Sequence, residues 1–177
     1  MPAERTTQDR LYDEAAGTYG AALGRLARGY EVHPDARRDL LQEIHLALWR
    51  SLAGYDGRCS LRTWVYRVAH NTAASHVMRQ RRARLHGLVN LDDIEDLPEA
   101  ADAERAADRR LTWERMMALV HRLHTIDRQV ILSYLEGLDA ASIAEITGLS
   151  PGSVATRIHR IKHVLAAHFQ EGSRNDR

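Results

Sequence analysis

Near the C-terminal end, Ser153, Thr156, His159, Arg160 and His163 recur at helical spacing within "PGSVATRIHRIKHVL", with Arg157 and Lys162 on their flanks. Short hydroxyls and imidazoles can exchange hydrogen bonds with base edges, and guanidinium or ammonium groups neutralise phosphates. The chemistry on offer is therefore nucleic-acid readout. His159 and His163 also stand at i and i+4, a spacing that metal pairs use. No acid or cysteine is placed to complete such a site and the HExxH pattern is absent, so DNA-facing histidines are expected and no metal. Cys59 is the only cysteine, which excludes an intramolecular disulfide and a cysteine-rich zinc site. An inert thiol is expected there rather than a redox switch. Without a nucleotide-binding glycine loop or a nucleophile motif, neither enzymatic chemistry nor a cofactor is expected.

The element that must position these residues is "LDAASIAEITGLSPGSVATRIHRIKHVL", Leu138 to Leu165. Asp139 and Ser150 suit the caps of two helices, Pro151 the first helical position, and Gly148 a left-handed end to the first helix. Leu138, Ile143, Ile146, Leu149, Val154 and Ile158 supply a shared core, with Ala144 small where the helices cross. In the second helix Val154, Ile158, Ile161 and Leu165 form the buried stripe. These signals agree on a helix-turn-helix. A helical hairpin with a merely solvated face leaves their agreement unexplained.

A second stretch, "LRTWVYRVAHNTAASHVMRQRR" from Leu61 to Arg82, raises a question of its own. At about 100° per residue, Leu61, Val65, Val68, Ala69 and Thr72 gather on one side. Thr63, Trp64, Tyr66, Arg67, His70 and Asn71 fall on or beside the other. This predicts a helix that turns aromatic, amide and cationic groups outward. Ahead of it, "DARRDLLQEIHLALWRSLAGYDGRCS" predicts a helix with Leu41, Ile44, Leu48 and Leu52 inside and Asp39, Gln42, Glu43 and Trp49 outside or at the margins.

Helical periodicity dominates the 177 residues, with no alternating strand pattern and no internal repeat, so the fold class is all-α in two small helical domains. A first domain is expected over residues 11–84, a linker over 85–108 and a second domain over 109–170. The second should hold helices over Leu111–Leu123, Asp127–Leu135, Ala140–Thr147 and Pro151–Phe169. The net charge of +1 hides a contrast: "RQRRAR" carries four arginines, whereas Asp92 to Glu104 carries seven acids and no base. That acidic linker reads as a solvated spacer or as a nucleic-acid mimic, and both readings stay open. No apolar run reaches bilayer length and the start has no secretory segment, so a cytoplasmic protein without membrane insertion is expected.

The order of these parts resembles the bacterial RNA polymerase sigma factors of the extracytoplasmic-function class. "DLLQEIHLALWR" and "SLRTWVYRVAHNTAASHVMRQRR" look like region 2 of that family, and "IDRQVILSYLEGLDAASIAEITGLSPGSVATRIHRIKHVL" looks like region 4. The resemblance implies a factor that directs core polymerase to specific promoters and promotes DNA melting. It places Trp64, Tyr66, Arg67 and Asn71 on the minus-ten element, with Tyr55 to Cys59, including Arg58, as a loop capturing a flipped base. Arg79, Arg81 and Arg82 would hold the backbone. Melted DNA exposes base faces to aromatics and phosphates to arginines, which suits these residue types. It further implies contacts of Asp39, Gln42, Glu43 and Trp49 with the β′ clamp helices of polymerase, and of region 4 with the β flap. Ser153, Thr156, Arg157, His159, Arg160 and Lys162 would meet the minus-thirty-five element, and an anti-sigma partner is implied as well. Departures from the family pattern are "LHTIDRQV" in place of a Pro-containing turn, Ser75 in place of an acid, and His70, His76, Met78 and Gln80. A stand-alone helix-turn-helix repressor or activator, dimeric and binding duplex DNA by itself, is the alternative.

Overall fold

The computed structural model describes residues 6–85 and 104–175, which form seven helices. The first three, α1 (Thr7–Tyr30), α2 (Pro34–Leu52) and α3 (Leu61–Leu85), make an N-terminal bundle. Each begins where the local chemistry allows it. Thr6 closes a capping box with Asp9: its hydroxyl accepts the Asp9 N–H and its own N–H donates to the Asp9 carboxylate, both at 3.1 Å. Pro34 occupies the first turn of α2. Ahead of α3, the Ser60 hydroxyl accepts the Thr63 N–H at 3.0 Å.

Leu23 and Leu26 of α1, Leu40, Ile44, Leu48 and Leu52 of α2, and Val65, Ala69 and Ala73 of α3 fill the bundle's core. The α2 stripe follows a strict four-residue step, so Leu40 rather than the expected Leu41 is its first member. Leu41 sits on the flank, partly buried, beside a shallow groove lined by Arg25, Arg28, Arg37 and Arg38.

The second half comprises α4 (Glu104–Arg122), α5 (Thr125–Leu135), α6 (Ala140–Thr147) and α7 (Pro151–Asn175). α4 starts well before Leu111, inside the stretch read from sequence as linker. The residues "ERAADRR" are nearly all strong helix formers, and once a turn exists they extend it at little cost. The rest of the acidic run lies outside the described residues. Arg128 closes the far end of α4: its guanidinium donates to the carbonyls of His121 and Leu123 and lies 5.4 Å from the centre of the Tyr30 ring. A cation at a helix C-terminus meets both the orphan carbonyls and the negative end of the dipole.

The two halves pack together, α5 and α6 against α3, and α4 and α5 against α1. One backbone position makes the approach feasible. A Cβ on Gly29 would lie 2.5 Å from Leu132 Cδ1, so any other residue there would force the Leu132 side chain to shift.

Candidate nucleic-acid and polymerase interfaces

The helix-turn-helix is built by the local signals that its sequence carries. The Asp139 carboxylate accepts the Ser142 N–H at 2.8 Å, Gly148 ends α6 at φ 76°, and the Ser150 hydroxyl accepts the Ser153 N–H at 3.2 Å. Val154 and Ile161 are fully inside, while Ile158 and Leu165 are partly so. Opposite them Ser153, Thr156, His159, Arg160, Lys162 and His163 face solvent, and Arg157 is half-buried. Two of the cations are tethered from α5. Asp127 accepts from Arg157 Nη1 at 2.6 Å and from Arg160 Nη2 at 2.9 Å. The Lys162 ammonium stands 5.5 Å from the centre of the Tyr134 ring.

α3 is a different case. The loop before it is closed by the Tyr55 hydroxyl donating to the Cys59 carbonyl at 2.8 Å, with Gly57 at φ 76° and Arg58 paired to Asp56 at 3.0 Å. Trp64 stands edge-on to Tyr55, ring centres 5.3 Å apart, and donates its indole N–H to Ser51 Oγ at 3.0 Å. Both rings are half-buried. Asn71, Arg79, Arg81 and Arg82 are exposed.

Thr63, Tyr66 and His70, however, do not face solvent as the angular count expects. They are 4%, 2% and 0% exposed. Thr63 is taken up by the Ser60 cap, to whose hydroxyl it is joined at 3.0 Å. The other two are covered by the second half of the chain. Tyr66 reaches Glu136 with its hydroxyl at 3.4 Å, and burial and the Glu136 carboxylate push its phenol up to about 12. His70 shares one ring nitrogen with the Tyr30 hydroxyl and the other with the Ser133 hydroxyl, both at 2.9 Å. Burial pushes it down to about 3, so it is neutral and one hydroxyl must donate while the other accepts. Arg67 donates to the Glu145 carbonyl at 2.8 Å.

Glu136, at the end of α5, collects most of these ties. Its carboxylate takes a forked pair from Arg25, both bonds 2.7 Å, and its carbonyl accepts from Arg62 at 2.7 Å. Sequence reasoning missed Glu136, Arg25 and Arg62, whose partners lie 70 or more residues away. It missed Asp127 too, because an acid in the first turn of a helix already has a local reason to be there.

On α2, Asp39 and Gln42 are exposed. Glu43 is half-buried, ion-paired to Arg79 and 3.7 Å from His76 Nδ1. Trp49, 40% exposed, is tied to the start of α1: its indole N–H donates to Asp9 at 3.0 Å and its carbonyl accepts from Gln8 at 2.7 Å. Glu43 and Arg79, expected at two separate interfaces, are thus partners of each other. Among the described residues no helix is long and apolar enough to cross a membrane, and no three His, Cys, Asp or Glu side chains are grouped to hold a metal ion.

Residues 16–83 match the family model for sigma-70 region 2, and residues 113–163 match that for sigma-70 region 4; together they cover about two thirds of the chain. The RNA polymerase sigma factor NccH of Alcaligenes xylosoxydans xylosoxydans is 29% identical over 95% of this chain and 92% of its own. The extracytoplasmic-function sigma factor SigL of Mycobacterium tuberculosis is 28% identical over 96% and 92%. In fold the chain is similar to CnrH, solved in complex with the cytosolic domain of CnrY, at a TM-score of 0.62, 23% identity, and 92% and 89% coverage. The match over α1 to α3 sets aside a stand-alone helix-turn-helix regulator. With both regions present and in order, the chain belongs to the sigma-70 family as an extracytoplasmic-function sigma factor, a non-enzymatic subunit that binds core RNA polymerase and promoter DNA to initiate transcription.

Proposed function

We propose that α7 reads the minus-thirty-five element and α3 with its preceding loop holds the melted minus-ten strand, while α2 docks on the β′ clamp helices. In this reading Ser153, Thr156 and His159 meet base edges, and Arg157, Arg160 and Lys162 meet phosphates. Trp64, Tyr66, Arg67 and Asn71, with Tyr55 and Arg58 in the loop, line the melted strand, and Arg79, Arg81 and Arg82 follow its backbone. The domains acting so are residues 11–84 and 109–170, joined by 85–108, and the second also meets the β flap. By similarity to the sigma factor RpoE of Bartonella quintana, solved in complex with the anti-sigma factor NepR, the chain has an anti-sigma partner. It works in the cytoplasm, where polymerase is found.

The observation that carries this reading is the capped helix-turn-helix with its polar face open, on the same chain as a helix that exposes Asn71, Arg79, Arg81 and Arg82 while Glu136 and Glu145 hold Tyr66 and Arg67. Gel filtration with core polymerase tests it. The wild-type chain should co-elute with the core, and Asp39→Lys/Gln42→Lys should not, because both residues are exposed and their loss leaves the core untouched. Glu43 is kept out of the test since it also holds Arg79 and His76. Co-elution of the double variant would remove the clamp contact from α2.

A further inference from the structure

Two arginines of the helix that faces outward share one carboxylate. Asp127, the third residue of α5, has a side chain only 9% exposed, yet both its oxygens are engaged by α7. Arg157 Nη1 lies 2.6 Å from Oδ1, and Arg160 Nη2 lies 2.9 Å from Oδ2. The two guanidinium groups differ in access, with side chains 31% and 61% exposed. A guanidinium has five N–H donors, so a phosphate can still be bound on the solvent side while Asp127 holds the inner side.

We infer that Asp127 is a positioning residue of the DNA-reading helix, one that fixes where Arg157 and Arg160 can meet phosphate and removes one unit of positive charge from that surface. This rests on the reading of α7 as the duplex-facing helix. First, two flexible cations held by one anchored carboxylate lose most of their rotamer freedom before DNA arrives, so they favour phosphates in one register rather than any that pass. Second, Asp127 sits in the first turn of α5, where the helix dipole favours an anion, and it is mostly enclosed, so phosphate competes with it without displacing it. Third, three charges in contact act on DNA as a net single cation, because their separations are well within a Debye length. Sequence-independent attraction is thereby lowered, and the base contacts made by Ser153, Thr156 and His159 weigh more in total affinity.

The test is the salt dependence of binding to a fluorescein-labelled duplex of random sequence, measured by anisotropy with the full chain. Asp127→Asn should bind more tightly, with a log K against log salt slope steeper by about 0.9, or roughly eightfold tighter at about 0.1 M salt. A cooperative thermal unfolding transition checks that the variant is folded. Should it not be, Arg157→Gln compared with Asp127→Asn/Arg157→Gln asks the same question without leaving a half-buried guanidinium unpaired, and the second of that pair should show the steeper slope. Equal slopes in the folded pair of variants would overturn the inference and leave Asp127 as a tie between α5 and α7. Thr156→Asp separates this from failure of the underlying reading. If it weakens duplex binding while Asp127→Asn changes nothing, only the role of Asp127 falls. If Thr156→Asp leaves binding unchanged, α7 is not the duplex-facing helix.

Discussion

The polar faces of α3 and α7 each meet nucleic acid in the proposed function, yet the first is partly covered and the second open. Tyr66 and His70 of α3 are inside the protein, under Glu136 and Ser133, whereas Ser153, Thr156 and His159 of α7 face water. In that reading the difference follows from what each face binds. Groups that stack on unpaired bases are large and apolar over most of their area, and leaving them bare costs hydrophobic free energy whenever DNA is absent. Duplex readout uses short hydroxyls and long cations, which are well solvated alone. The protein therefore covers Tyr66 with its own second half and leaves the α7 groups bare.

Matched truncations on the two faces should give the largest contrast. Tyr66→Ala removes a ring that is 2% exposed and should cost about 3–5 kcal/mol in urea unfolding, whereas Thr156→Ala should stay within about 0.5 kcal/mol. Similar costs at the two sites would mean that the seam over α3 is not formed in solution. Next comes Glu136→Lys, which turns a forked ion pair with Arg25 into repulsion and sets a cation beside Arg62. It should raise the radius of gyration in small-angle scattering and strengthen binding to single-stranded DNA, while duplex binding through α7 changes little. An unchanged radius would show that apolar packing around Leu132 and Gly29 holds the halves together alone.

Acid should weaken the covered side through His70. His70 is held neutral by burial, its pKa moved from 6.5 down to about 3, so below about pH 6.5 the unfolded chain takes up a proton that the native chain refuses. Stability is complete above that value and falls as the solution is acidified, by about 1 kcal/mol between about pH 7.5 and about pH 5.5. His45 and His121 are lowered by burial as well and add in the same sense, so the share of His70 is read from the slope lost in His70→Gln. A variant with the wild-type slope would assign the effect to the other two. The smallest effect is expected on the open side. Ser150→Ala removes a cap from α7 and should cost about 1 kcal/mol or less, without disturbing α3.

The same two faces divide what could be read from sequence from what could not. Asp139, Gly148, Ser150 and Pro151 act within three or four residues of themselves, so the helix-turn-helix was legible down to its caps. So was the all-helical class. Tyr66 and His70 depend on Glu136, Tyr30 and Ser133, which are 40 to 70 residues away along the chain. A helical wheel knows one buried side, and α3 has two. The early start of α4 was obscured for another reason: charge marked its residues as linker, although their helix propensity said otherwise. Pairing of Glu43 with Arg79 joined residues that family resemblance assigns to different partners, something no reading of either motif alone would reveal.

Glu136 lies where α5 ends and the chain turns, through Gly137 at φ 75°, towards the helix-turn-helix. Because its side chain and carbonyl gather Arg25, Arg62 and Tyr66 at one point, partial release gains little: losing one tie leaves the others in place, and losing the residue loses them together. Such a seam is expected to release as a unit, giving a closed and an open population rather than a graded hinge. Any ligand that needs Tyr66 bare then sees only the open fraction of molecules, and its apparent dissociation constant is the intrinsic one divided by that fraction. Under the proposed contact of Tyr66 with the melted strand, the share of open molecules then weighs on apparent affinity alongside the contacts themselves.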